Sequence, residues 1–329
     1  MEFVKVHGKG LDGNLEGDSP DRDVAVLLPP SYATAKNRHY PVVYMLHGFT
    51  DHMGKWFGLE QFWINLPDVV NRAKVAGIAE MIFVMPDAYT RYEGSMYSSS
   101  VTTGDWENYI ATELVAYIDA HYRTLARPAS RGIAGHSLGG YGALRIGIHH
   151  PEVFSAIYAL NPCCLTPDFG VPPDAASAAT MEGVKTFDDF AKADIATKAA
   201  FASAAAWSPN PKNPPFFVDL PWHNGVQQTM VIAKWIANRP LFMVDENVWN
   251  LRRLRGIGFD SAKSDIPPNI AGANILHDEL DTYGISHAFE LYEGDHTNKV
   301  AARLEKVVLP FFARTLDVGR TDPAHRRGK

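Results

Sequence analysis

The sequence predicts an α/β chain: a mostly parallel central sheet flanked by helices, carrying one inserted segment, within a single domain over residues 1–329. Two observations predict it. Short, near-continuous apolar runs, as expected of strands covered on both faces, recur along most of the length. Segments with apolar residues at helical spacing separate them, and this alternation breaks once, over about residues 166–250.

Strands are predicted at Asp23–Leu28, Val42–His47, Met81–Met85, Arg131–His136, Phe154–Leu160, Arg255–Asp260 and Ala288–Tyr292. Helical spacing appears as Ile110, Leu114, Val115 and Ile118 within Trp106–Arg123, and as Val300, Leu304, Val307 and Val308 within Thr297–Leu316. From Thr166 the chain is Ala-rich, then proline-dense over Ser208–Pro221, then helical in pattern over Val226–Ile236. It interrupts the alternation where ligand-covering insertions are placed, so it reads as a cap over the carboxyl edge of the sheet; a surface embellishment is the plainer alternative. The final ten or so residues are polar and expected to fray.

Composition narrows the function classes. Hydrophobic residues make up 46% and charged residues 21%, which argues against disordered and fibrous chains. The net charge is -6 and the basic run Arg326-Arg327-Gly328-Lys329 is a tail end, so no nucleic-acid partner is expected. No apolar run approaches the ~18 residues that would span a membrane. Met1-Glu2-Phe3-Val4-Lys5 lacks the charged start and apolar core of a signal peptide. The expectation is a cytoplasmic protein, or an exported one whose leader lies outside this sequence. Cys163 and Cys164 are adjacent and cannot staple distant segments; a buried thiol pair is expected rather than a vicinal disulfide.

Gly135-His136-Ser137-Leu138-Gly139 fits G-x-S-x-G, between a predicted strand and the helical run Tyr141-Gly142-Ala143-Leu144-Arg145-Ile146. Strand, sharp turn and helix form the context of the nucleophile elbow of the α/β-hydrolase fold. The serine must project from a tight turn, so bulky neighbours are excluded, and the helix behind it aims its dipole and free N–H groups at a developing oxyanion. Serine is a poor nucleophile without a base, and in this fold the acid and then the histidine follow it along the chain. His296 lies in Tyr292-Glu293-Gly294-Asp295-His296, between the last predicted strand and the last helix. His149 and His150 close the helix that Ser137 opens, while His277 and His287 suit a helix surface and a strand start. Two aspartates compete for the acid: Asp260 at the predicted strand end, and Asp265 in the loop beyond, where a carboxylate can bend toward the histidine. Asp265 is the choice, holding the imidazole tautomer without taking the proton. The backbone N–H groups of Phe49, after the apolar strand ending His47-Gly48, and of Leu138 are the expected oxyanion donors.

Gly48-Phe49-Thr50-Asp51-His52-Met53-Gly54-Lys55 also satisfies G-x-x-x-x-G-K, which would mean nucleotide binding. Trp56 then stands where a serine or threonine must ligate magnesium. With no H-E-x-x-H, no cysteine pair at zinc spacing and no G-x-G-x-x-G opening a helix, neither a cofactor nor a metal is expected.

Beyond the elbow, the sequence resembles the esterase D / feruloyl esterase-like family of the α/β-hydrolases over about residues 23–312. The resemblance rests on Val26-Leu27-Leu28-Pro29-Pro30-Ser31-Tyr32, Tyr40-Pro41-Val42-Val43-Tyr44-Met45-Leu46-His47-Gly48, Glu113-Leu114-Val115-Ala116-Tyr117-Ile118-Asp119, Ala134 through Leu144, and His150-Pro151-Glu152-Val153-Phe154. It implies a cofactor-free serine carboxylesterase acting on a small-molecule ester through an acyl-serine, and supports Ser137, Asp265 and His296 in their roles. A glycine often stands three positions before the acid in such proteins; here it is Ala262. Short acyl or feruloyl-type esters are the expected substrates. The alternatives are an S-formylglutathione hydrolase-like thioesterase, though Asp51-His52-Met53 stands where those tend to carry a cysteine, an acyltransferase, or a non-catalytic binding module on the same fold. Trp56, Tyr97, Trp106 and Trp222 are candidate substrate-binding aromatics, against the alternative of simple packing. The sequence leaves a homodimer open.

Overall fold

A computed structural model describes residues 1–58, 64–167, 169–172 and 174–319. The polar tail and its basic run, 320–329, lie outside the described residues. One eight-stranded sheet comprises β1 (Glu2–His7), β2 (Asp21–Leu27), β3 (Val42–Leu46), β4 (Ile82–Pro86), β5 (Arg131–His136), β6 (Ala156–Leu160), β7 (Gly256–Ala262) and β8 (Ala288–Tyr292). The spatial order is β1-β2-β4-β3-β5-β6-β7-β8. β2 runs antiparallel to both β1 and β4, and the other neighbours are parallel.

Both faces of the sheet are covered, and the strand period divides the apolar residues between them. Along β3, Val42, Tyr44 and Leu46 join one core cluster while Val43 and Met45 join the other. The first cluster receives Ile110, Leu114 and Ile118 from α2 (residues 106–121) and Tyr141, Leu144 and Ile148 from α3 (Leu138–His149). The second receives Val69 and Val70 from α1 (Leu66–Val75), and Leu304, Val308 and Phe312 from the final helix over 300–315. That helix passes through a π-helical turn, Leu304–Val308, just before Pro310, whose missing N–H would otherwise interrupt the ladder.

β1 is absent from the sequence reading. It is an edge strand with several exposed residues, mixing charged and apolar side chains where an interior strand would be uniformly apolar. β7 extends two residues beyond the predicted end, so Asp260 is interior to a strand. Residues 166–250 leave the sheet between β6 and β7 and contribute α4 (Ala175–Glu182), α5 (Phe187–Lys192), α6 (Ile195–Trp207) and α7 (Thr229–Ala237). A short hairpin, Trp222–His223 with Val226–Gln227, turns at Asn224-Gly225, both at positive φ, the conformation such a two-residue turn requires. Among the described residues no helix is long and apolar enough to cross a membrane.

Candidate active site

Three adjacent strands bring the site together at their carboxyl ends. Leu46 of β3 lies opposite Gly135 of β5, and His136 lies opposite Leu160 of β6. Ser137 sits in the turn from β5 to α3 at φ 58°, ψ -118°, a conformation that non-glycine residues seldom adopt. The two motif glycines are sterically required. A Cβ on Gly135 would stand 2.1 Å from the Gly139 carbonyl oxygen, and one on Gly139 would stand 1.9 Å from that of Leu46. A Cβ on Gly48 would come 3.5 Å from Ser137 Cβ, so the end of β3 lies directly beside the serine.

The order of a peptide plane at that strand end follows from His47. Its Nε2 accepts the Ala88 N–H at 2.8 Å, so Nδ1 carries the proton and donates to the Gly48 carbonyl at 2.9 Å. Fixing that carbonyl fixes the trans peptide, and with it the direction of the Phe49 N–H. Burial holds the imidazole below its ordinary pKa and so in this neutral form. Leu138 is the first residue of α3, so its N–H has no partner one helical turn back. The Phe49 and Leu138 side chains meet over Gly94, whose absent Cβ would lie 2.8 Å from one and 3.1 Å from the other.

Asp265 follows β7, its side chain fully buried, and both its oxygens accept from His296 Nδ1, at 2.9 and 2.8 Å. Asp265 Oδ1 also receives the Ile266 N–H at 2.6 Å and Asn269 Nδ2 at 3.1 Å, which orient the carboxylate. The backbone of the histidine loop is pinned separately: the His296 carbonyl accepts from His136 Nε2 at 2.7 Å and Asn161 Nδ2 at 3.0 Å. Asp260 does not face the His296 imidazole and meets the histidine loop only through Asn161. Buried beneath the site, it binds Arg303 Nε at 2.9 Å, Tyr158 Oη at 3.0 Å and the Asn161 N–H at 3.2 Å. Burial pushes its carboxyl up to about 6 against the opposing pull of Arg303.

Ser137 and His296 line one cavity of about 410 Å³, although no hydrogen bond joins their side chains. Phe49, Leu138 and Met96 line it from the sheet side, while Phe169, Ile195, Ala196 and Ala199 come from the inserted segment. Four sequence-predicted aromatics lie elsewhere. Trp56, Tyr97 and Trp106 are core residues. Tyr97 donates its hydroxyl to the His47 carbonyl at 2.8 Å and Trp106 donates Nε1 to Thr103 at 2.8 Å, so their polar ends are spent inside the fold. Trp222 borders a separate cavity within the insertion. The lining from the inserted segment, Phe169, Ile195, Ala196 and Ala199, gives no local sequence signal.

Cys163 and Cys164, expected as thiols, are joined as a vicinal disulfide on the cavity wall. Cys164 takes φ 67°, and the Cys163 N–H binds the Ser137 carbonyl at 3.3 Å, a backbone arrangement that composition could not reveal. The nucleotide-binding pattern also resolves differently. Lys55 is buried in an ion pair with Asp51 and lies 2.9 Å from His136 Nδ1. Burial and the Lys55 charge hold His136 well below its ordinary pKa, so its Nε2 proton is kept for the His296 carbonyl. His149 and His150 bind the Glu107 carboxylate rather than the helix end.

A family model described as "Putative esterase" matches residues 19–300. The chain belongs to this family. Its sheet order and flanking helices are those of the α/β-hydrolase fold. Among curated relatives, Esterase Rv1288 of Mycobacterium tuberculosis is 29% identical over 229 residues, 64% of this chain and 46% of that protein. The chain thus spans about half the length of the curated relatives it matches. A solved ferulic acid esterase superposes with a TM-score of 0.66 at 21% identity, covering 96% of this chain and 98% of that one. An S-formylglutathione hydrolase from Agrobacterium tumefaciens gives 0.62 at 16% identity, covering 96% and 95%. Both likenesses are likenesses of fold.

Proposed function

We propose that the protein is a serine carboxylesterase that hydrolyses short-chain acyl or feruloyl-type esters through an acyl-serine intermediate. The observation that carries the reading is the two-oxygen bond of Asp265 to His296 Nδ1, on the wall of the same cavity that Ser137 enters from a positive-φ turn. With Nδ1 committed to Asp265, Nε2 is the nitrogen left to take the serine proton. Ser137 Oγ attacks the ester carbonyl carbon, and the charge developing on the carbonyl oxygen is met by the Phe49 and Leu138 N–H groups. His296 then protonates the departing alcohol. Water, deprotonated by the same imidazole, releases the acid and restores Ser137. Residues 166–250 act as the cap, since Phe169, Ile195, Ala196 and Ala199 supply one wall. An apolar cavity of about 410 Å³ suits an acyl chain or a phenolic ring.

The test is hydrolysis of p-nitrophenyl esters of increasing chain length and of methyl ferulate, with Ser137→Ala alongside. Turnover by the wild type and a loss on the order of a millionfold in kcat in the variant is the expected outcome. A wild type inert on every ester, or a variant that keeps its rate, overturns the reading.

A further inference from the structure

At the far end of the sheet from Ser137, His277, Asp281 and His287 gather with no role in the site above. His277 and Asp281 are four residues apart on α8 (Pro267–Thr282), which puts both on one face of the helix. His287 immediately precedes β8, the edge strand, and so sits at its amino end, whereas Ser137 and His296 follow carboxyl ends of strands. One ligand atom from each of the three residues lies within 4.8 Å of the other two.

Each imidazole is packed against an aromatic ring of the sheet. His287 stacks on buried Phe259 with the planes 14° apart, and His277 lies against Phe289 with ring centres 4.8 Å apart. His287 Nδ1 donates to the Ile285 carbonyl at 2.8 Å, which leaves Nε2 as the nitrogen with a free lone pair. That atom faces His277 Nδ1 at 2.7 Å. A backbone carbonyl on the far nitrogen is the outer-shell contact that orients metal-ligating histidines. The His287 side chain is only 4% exposed, while those of His277 and Asp281, at 37% and 64%, leave a path from solvent.

We infer that His277, Asp281 and His287 form a binding site for a borderline divalent transition ion of the zinc class, clipping α8 to the edge strand β8. Two imidazole nitrogens and one carboxylate suit zinc, with water completing the tetrahedron. The ion takes the place of the proton between His277 Nδ1 and His287 Nε2; that proton passes by way of solvent to His277 Nε2, so both imidazoles bind the ion neutral and no electrons are transferred. The sequence did not flag the site because its spacing matches no metal motif, and the third ligand is brought in by the packing of α8 beside the start of β8.

The experiment uses the full chain, dialysed against chelator and titrated with Zn²⁺ in competition with a chromophoric chelator, with thermal melts in parallel. One ion per chain is expected. At a hundredfold excess over Kd the melting temperature should rise by about 4 °C. Co²⁺ in place of zinc should give the absorption of a tetrahedral site. His277→Gln and His287→Gln should each weaken binding by at least about tenfold. Asp281→Asn, at an exposed position, keeps the test alive should His287→Gln not fold, and should also weaken binding. No binding by the wild type, or equal binding and an equal thermal shift in His277→Gln and Asp281→Asn, overturns the inference.

Discussion

The two aspartates near His296 make a sharp test, because they are two strand-and-loop neighbours with separate duties. Asp265→Asn removes the acceptor that both fixes the His296 tautomer and stabilises its charged form, while leaving a side chain of the same shape. In a triad of this kind that change costs about 10⁴-fold in kcat, or about 5.4 kcal/mol of transition-state stabilisation. The Ile266 N–H and Asn269 contacts can still be met by the amide oxygen, so folding should be little affected. Asp260→Asn does the reverse. It leaves the buried Arg303 guanidinium without the carboxylate 2.9 Å away, and removing one partner of a buried pair costs about 3–5 kcal/mol. Arg303 keeps Glu290 at 2.7 Å, which points to the lower figure, about 3 kcal/mol. With an unfolding entropy of about 2.1 cal/mol/K per residue, a chain of this size should lose about 4 °C of melting temperature. Its kcat, assayed at 25 °C where the fold is intact, should stay within about fivefold of wild type, since Asp260 reaches the His296 loop only through Asn161, a coupling of about 1 kcal/mol. The assay is p-nitrophenyl ester turnover beside a thermal melt for each variant. If Asp260→Asn were the inactive variant and Asp265→Asn the active one, the assignment of the acid would be refuted.

Three further outcomes follow from the geometry. Gly139→Ala should abolish soluble, active protein, since its Cβ would meet backbone at 1.9 Å; Gly147→Ala meets side chains alone, Ile157 Cδ1 and Cγ1 at 2.4 Å and Ile133 Cγ2 at 3.5 Å, and should cost about 1–3 kcal/mol in a urea melt. Equal effects would contradict this reading of the elbow. His136 stays neutral when folded, so below about pH 6.5 the unfolded chain takes up a proton that the folded one refuses, and stability falls on acidification. Urea melts from pH 7.5 to 5.5 should therefore show a pH slope shallower by up to about 1.4 kcal/mol per unit in His136→Gln than in wild type; parallel slopes would count against it. Glu16 is the opposite case: burial raises its carboxyl to about 9, so the folded chain holds a proton the unfolded one releases, and stability falls as pH rises above about 4.5. Glu16→Gln should gain about 1–3 kcal/mol at pH 8 and nothing at pH 4, and a destabilised variant at pH 8 would refute the account.

What the sequence by itself determined is local. The elbow residues carry their own steric logic, because only glycine at 135 and 139 lets the turn close, and the strands of the interior announce themselves as apolar runs. The serine, histidine and aspartate candidates were legible because the chain order of a strand-and-loop fold is fixed by topology. The tertiary structure decided everything that depends on two distant segments meeting. It separated Asp265 from Asp260 by what each carboxylate faces, His296 or Arg303, which spacing along the chain cannot express. It moved Trp56, Tyr97 and Trp106 into the core, since an aromatic pattern reports burial without reporting against what. It built the cavity wall from Phe169, Ile195, Ala196 and Ala199, one aromatic and three small or aliphatic residues of an insertion that reaches the cavity holding Ser137 only through packing. It also joined Cys163 to Cys164, turned Lys55 inward to Asp51 and His136, and brought His287 to His277 and Asp281. Each of these is an interaction across space, and a linear chain records only the residue types that such an interaction requires.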